Sequence, residues 1–86
     1  MPSQCYARLD VRFRRLETPP EPDLRAMISL HTFSVANLSY QLKEEGKTFE
    51  YHMTIRTQDK DNNRKLAETL AAMDKVLEFR ISPTGD

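Results

Sequence analysis

The fold turns on Phe33-Ser34-Val35-Ala36-Asn37-Leu38-Ser39-Tyr40-Gln41-Leu42-Lys43-Glu44-Glu45-Gly46-Lys47-Thr48-Phe49-Glu50-Tyr51-His52-Met53-Thr54-Ile55-Arg56-Thr57. Leu38, Tyr40 and Leu42 alternate with Ser39, Gln41 and Lys43. After Glu44–Lys47 the alternation resumes, with Phe49, Tyr51, Met53 and Ile55 set against Thr48, Glu50, His52 and Thr54. A strand turns successive side chains to opposite faces, so this pattern on both sides of a short glycine-containing loop predicts an antiparallel hairpin with one apolar face. A lone hairpin cannot keep such a face from water. The chain on either side must therefore supply its cover.

Working outward, residues 6–15 form a strand candidate. Leu9, Val11 and Phe13 point one way, and Arg8, Asp10, Arg12 and Arg14 the other. Thr18-Pro19-Pro20-Glu21-Pro22 removes three backbone donors and ends that strand. A helix over about 21–32 is predicted next, capped by Asp23, or by Thr18 with the prolines in its first turn. Leu24, Met27, Ile28 and His31 give it one apolar stripe at helical spacing. On the far side of the hairpin, Gln58–Asn63 reads as a polar turn, with Asp61 or Asn62 as cap. Leu66, Leu70 and Met73 form the stripe of the second helix, beside Ala67 and Ala71. Leu77, Phe79 and Ile81 alternate with Glu78 and Arg80 in a last strand over 76–82, before the breakers Pro83-Thr84-Gly85-Asp86.

The order is β-α-β-β-α-β. Right-handed crossovers close two split βαβ units into one four-stranded antiparallel sheet with both helices on one face. The expected class is α+β, ferredoxin-like, with strand order 4-1-3-2.

Eighty-six residues bound the chain to one domain with a modest core. Thirteen basic and thirteen acidic side chains cancel, leaving no global field to gather nucleic acid or anionic lipid. Cys5 is the one cysteine, so no internal disulfide forms and a reducing compartment is expected. No apolar run approaches the roughly 18 residues needed to span a bilayer, and Met1-Pro2-Ser3-Gln4 does not open a signal peptide. The segment reads as soluble.

Chemical motifs are sparse. His31 lies on the buried side of the first helix near its C-terminus, where partial positive charge suits the dipole. His52 lies on the polar face of the third strand, and neither histidine has a second ligand at metal-binding spacing. Asp59, Asp61 and Asn63 alternate like the opening of a calcium loop, but Arg64 stands where that loop needs glycine and Leu70 where it needs glutamate. No nucleophile is paired with a base, and no glycine-rich loop exists to cradle phosphate. Catalysis, cofactor and metal are therefore not expected. The polar face of the sheet is the candidate surface, with Arg8, Arg12, Arg14, His52, Arg56 and Arg80 as its partner-facing residues. A nucleic-acid platform would need aromatics on that face. Phe13, Phe49, Tyr51 and Phe79 fall on the core side instead, so nucleic acid is not the expected partner.

The element order at this length resembles ACT-type domains, ferredoxin-like modules that sense small ligands or mediate pairing. The closing stretch Val76-Leu77-Glu78-Phe79-Arg80-Ile81-Ser82-Pro83-Thr84-Gly85-Asp86 is similar to the end of bacterial MgtC/SapB-type proteins. In these, a membrane-spanning N-terminal part is followed by a cytosolic ACT-like domain, and Tyr6-Ala7-Arg8-Leu9-Asp10-Val11 fits that domain's opening. The resemblance implies the C-terminal, cytosolic domain of an inner-membrane protein linked to magnesium homeostasis, tethered through N-terminal segments outside these residues. It carries no magnesium site onto this chain, which lacks clustered exposed carboxylates. Ligand-binding ACT domains carry a glycine turn between first strand and first helix. Here Arg15–Pro22 holds three prolines and no glycine. The resemblance therefore implies protein contact or self-association, with metabolite binding between subunits as the alternative.

Overall fold

The computed structural model describes residues 4–84. Met1–Ser3, and the Gly85-Asp86 end of the closing stretch, lie outside the described residues. Four strands, β1 (Cys5–Arg14), β2 (Ser34–Lys43), β3 (Thr48–Thr57) and β4 (Val76–Pro83), form one sheet in the order β2-β3-β1-β4. Every neighbouring pair is antiparallel. Helices α1 (Glu21–Leu30) and α2 (Asp61–Ala71) complete the β-α-β-β-α-β order. This is the α+β, ferredoxin-like arrangement that the patterning predicts.

The central pair β1–β3 runs in unbroken register from Cys5 opposite Thr57 to Arg14 opposite Thr48. Ala7, Leu9, Val11 and Phe13 therefore share a face with Tyr51, Met53 and Ile55. Leu24 and Ile28 of α1, with Leu66 and Leu70 of α2, close over that face, and all eleven side chains are buried. Burying a leucine- or phenylalanine-sized side chain is worth about 1.5–3 kcal/mol, so this layer is the main source of stability. The aromatics assigned to the core side lie there: Phe13 packs edge-on to Tyr51, with centroids 6.2 Å apart, and Tyr51 packs edge-on to Phe49 at 5.3 Å.

Two bulges rephase the outer strands. Asn37, at φ 55°, is an extra residue in β2, and the pairing shifts between Ala36 and Ser39. Val35 opposite Ile55, and Tyr40 opposite Tyr51, thereby point to the same side despite their odd separation. In β4 the pairing with β1 shifts between Arg12 and Phe13, so Val76, not Leu77, stands opposite Phe13. Alternation groups Leu77 with Phe79 and Ile81; the bulge instead leaves it 37% exposed. Tyr40 and Leu42 need a similar correction. They point to the helix side but remain 56% and 52% exposed, because β2 is an edge strand that the short α1 does not fully cover.

The helix ends also differ from expectation. Neither Asp23 nor Thr18 caps α1: its N-cap is Pro20, whose carbonyl accepts from the backbone N–H of Asp23 and Leu24. Pro22 lies in the first turn, where its missing N–H costs nothing. The helix ends at Leu30, with His31 as C-cap and Thr32 at φ 70°, in the left-handed region that a β-branched residue rarely occupies. The N-cap of α2 is Lys60, with no side-chain cap, rather than Asp61 or Asn62; just ahead of it Asp59 Oδ1 accepts from the backbone N–H of Asp61 at 3.0 Å. At the hairpin tip, Glu44, Glu45 and Gly46 all have positive φ, and the N–H of Gly46 reaches the carbonyl of Lys43 at 3.1 Å, closing the four-residue loop between the paired Lys43 and Thr48.

Candidate interaction face

Because both helices lie on one side, the opposite face of the sheet is uncovered. Register places its polar side chains in rows. Arg12 stands between Glu50 and Glu78, Asp10 between His52 and Arg80, and Arg8 between Thr54 and Ser82; Arg56 is opposite Tyr6. All six residues of the candidate surface, Arg8, Arg12, Arg14, His52, Arg56 and Arg80, are thus on one face. They do not form one site.

The first group is an ion network centred on Glu50. Arg12 donates from Nε to Glu50 Oε2 at 2.8 Å and from Nη1 to Glu44 Oε2 at 3.0 Å. Glu78 Oε1 lies 3.8 Å from Nη1, and Lys43 Nζ is 3.7 Å from Glu50 Oε1. These neighbours leave Glu50 only 5% exposed, on a face that alternation alone reads as solvated. The hydrogen bond to Glu50 holds the Arg12 guanidinium above its ordinary range; desolvation opposes this, and the charges of Glu78, Glu50 and Glu44 add to it. His52 joins the same network. Its Nδ1 is 2.6 Å from Asp10 Oδ1, and its Nε2 is 3.0 Å from Glu50 Oε1 without the alignment of a hydrogen bond. With a carboxylate at each nitrogen, neither nitrogen is turned towards open space as a base or metal ligand would be. Arg14 lies to one side, 3.3 Å from Glu17 in the turn after β1.

The second group is Arg8, Arg56 and Arg80. No carboxylate lies within ion-pair distance of these three among the described residues. Arg80 donates from Nε to Ser82 Oγ at 3.1 Å. Tyr6, 45% exposed, shares this face and stands opposite Arg56. Sequence reasoning passed over Tyr6, although its two-residue step from Arg8 is the signal that places it there.

The remaining candidates have structural partners. His31 Nδ1 is 2.9 Å from the carbonyl of Met27, which can only accept, so this nitrogen carries the proton. Its Nε2 is 2.8 Å from Thr69 Oγ1, tying α1 to α2. The Asp61 carboxylate is held by Arg64 at 3.0 Å and 3.1 Å, which pulls its pKa below the ordinary value. No cluster of three metal-ligating side chains occurs among the described residues, and no helix there is long and apolar enough to cross a membrane.

On the helix side, the uncovered part of β2 is pinned to the start of α1. Tyr40 donates its hydroxyl to Glu21 Oε1 at 2.6 Å, and Tyr51 donates to the carbonyl of Pro19 at 2.7 Å. The Tyr40 hydrogen bond, followed by that of Arg25, holds the Glu21 carboxyl below its usual range. Past this end of the sheet, an open cavity of about 740 Å³ lies among Arg14–Glu17, Glu45–Thr48 and Leu77. Compared with known protein families and curated proteins, the chain matches none.

Proposed function

We propose that this chain is a non-catalytic domain that acts by self-association or protein contact, and that it is the cytosolic part of an MgtC/SapB-type protein linked to magnesium homeostasis. The observation that carries the first statement is edge strand β2. Its outer backbone edge has no strand partner among the described residues, and Tyr40 and Leu42 stand next to that edge, 56% and 52% exposed. Such edges recruit further strands unless they are blunted. The Asn37 bulge blunts only the first half of β2. Antiparallel pairing of two copies about Gln41 sets Tyr40 against Leu42 of the second copy, twice by symmetry, and removes both from water.

The second statement rests on the resemblance of the opening and closing stretches. Its membrane attachment, on the cytoplasmic side of the bacterial inner membrane, comes from segments outside these residues. A metabolite-binding module is the alternative, and the cavity beside Arg14–Glu17 lies at the β1–α1 connection where that reading places its ligand.

Sedimentation velocity over a roughly hundredfold range of concentration tests the first statement. The expected result is a dimer that Leu42→Lys converts to a monomer. A wild-type monomer throughout, together with no protein retained from membrane extract, refutes it. Immunodetection in native cells tests the second. A species larger than 10.0 kDa in the membrane pellet is expected, and a 10.0 kDa soluble band refutes it.

A further inference from the structure

Arg56, Arg8 and Arg80 stand on three adjacent strands, β3, β1 and β4. Arg8 is opposite Thr54 and Ser82; Arg56 lies two residues beyond Thr54, and Arg80 two residues before Ser82. The three therefore form a diagonal row across the sheet, with each step about 7–8 Å between backbone positions. Asp10, the carboxylate nearest in register to Arg80, is engaged by His52 at 2.6 Å. None of the three arginines forms an ion pair among the described residues. A guanidinium fork suits phosphate oxygens, which it binds with two parallel hydrogen bonds.

Tyr6 distinguishes one polyanion from another. Its ring, 45% exposed, stands opposite Arg56 on a central strand and belongs to no aromatic pair among the described residues. The Asp and Glu side chains of an acidic peptide carry no aromatic ring to stack there, whereas each nucleotide brings a base that stacks on it while the adjoining phosphates meet the arginines. The other half of the face cannot serve, because Arg12 and Arg14 are engaged by carboxylates. We propose that Tyr6, Arg8, Arg56 and Arg80 form a binding site for single-stranded nucleic acid, with phosphates on the three arginines and one base on the Tyr6 ring.

Fluorescence anisotropy with labelled oligo(U) and oligo(dT) of about ten nucleotides, titrated at several salt concentrations, tests this. Three phosphate contacts on a single strand predict a slope of about −2 for log affinity against log salt. Arg56→Gln should make the slope shallower by about 0.7. Tyr6→Leu should weaken binding by about fivefold or more and leave the slope unchanged. Arg14→Gln, at an arginine already paired, should change neither. Circular dichroism checks that each variant is folded. Amide shifts of the wild-type chain, confined to β1, β3 and β4 around these four residues, give a readout that needs no variant. Absence of binding at low salt overturns the proposal. So does competition by polyglutamate as effective as that by oligonucleotide, with Tyr6→Leu without effect; that result assigns the row to an acidic protein partner.

Discussion

Replacing Thr57 with valine keeps the shape of the side chain and removes one hydroxyl. That hydroxyl joins three segments. It donates to the carbonyl of Thr32 at 3.0 Å, in the turn between α1 and β2. It accepts from Asn62 Nδ2 at 2.8 Å, in the first turn of α2. Thr57 itself is 2% exposed, at the end of β3. Valine leaves no cavity, so the loss is the two hydrogen bonds plus the cost of stranding their partners. Each bond is worth about 0.5–1.5 kcal/mol net. Thr32 is exposed and Asn62 half-buried, so water partly replaces the hydroxyl and the sum falls near 1.5 kcal/mol, below the full cost of a buried orphan. For a domain of this size, that lowers the melting temperature by about 6–12 °C. Thermal unfolding followed by circular dichroism measures it, and a double-mutant cycle with Asn62→Ala isolates the Asn62 bond. A Thr57→Val variant melting within about 2 °C of wild type would show that the hydroxyl joins nothing that matters, and would refute the reasoning.

Three further outcomes are expected. Thr32→Gly removes a β-branched residue from positive φ and should raise stability by about 1 kcal/mol, after the greater chain entropy of glycine is subtracted, in denaturant titration. Glu21 is held below its ordinary pKa chiefly by the Tyr40 hydroxyl, so the stability it confers is present above the ordinary carboxylate range and is lost as pH falls through the depressed value. Wild type should therefore melt above Tyr40→Phe at neutral pH, with the gap closing as pH falls from the ordinary carboxylate range through the depressed value; a gap that stays constant on acidification would contradict the linkage. Finally, Glu50→Gln should lower the melting temperature more than Glu44→Gln. Both carboxylates bind Arg12, but Glu50 is the buried one, with a side chain 7% exposed against 52% for Glu44.

The sequence alone determined the order of the elements, the two faces of the sheet and the stripes of both helices. These follow from periodicity, which is local: Leu9, Val11 and Phe13 share a face whatever lies beside them. Tertiary structure decided the phase of the outer strands. The apolar phase slips across Asn37, from Phe33 and Val35 to Leu38, Tyr40 and Leu42, but where the extra residue sits is a mismatch between two strands and is set only once they pair. It also decided which charges are engaged. Arg8 and Arg12 are equivalent in an alternating strand, yet Arg12 meets Glu50 from 38 residues away while Arg8 meets Thr54 and Ser82. His52 reaches Asp10 across 42 residues, and this pairing helps to enclose Glu50. Alternation assigns a side chain to a face. Its burial and its partner are set by the strands that lie on either side, and those arrive from distant parts of the chain.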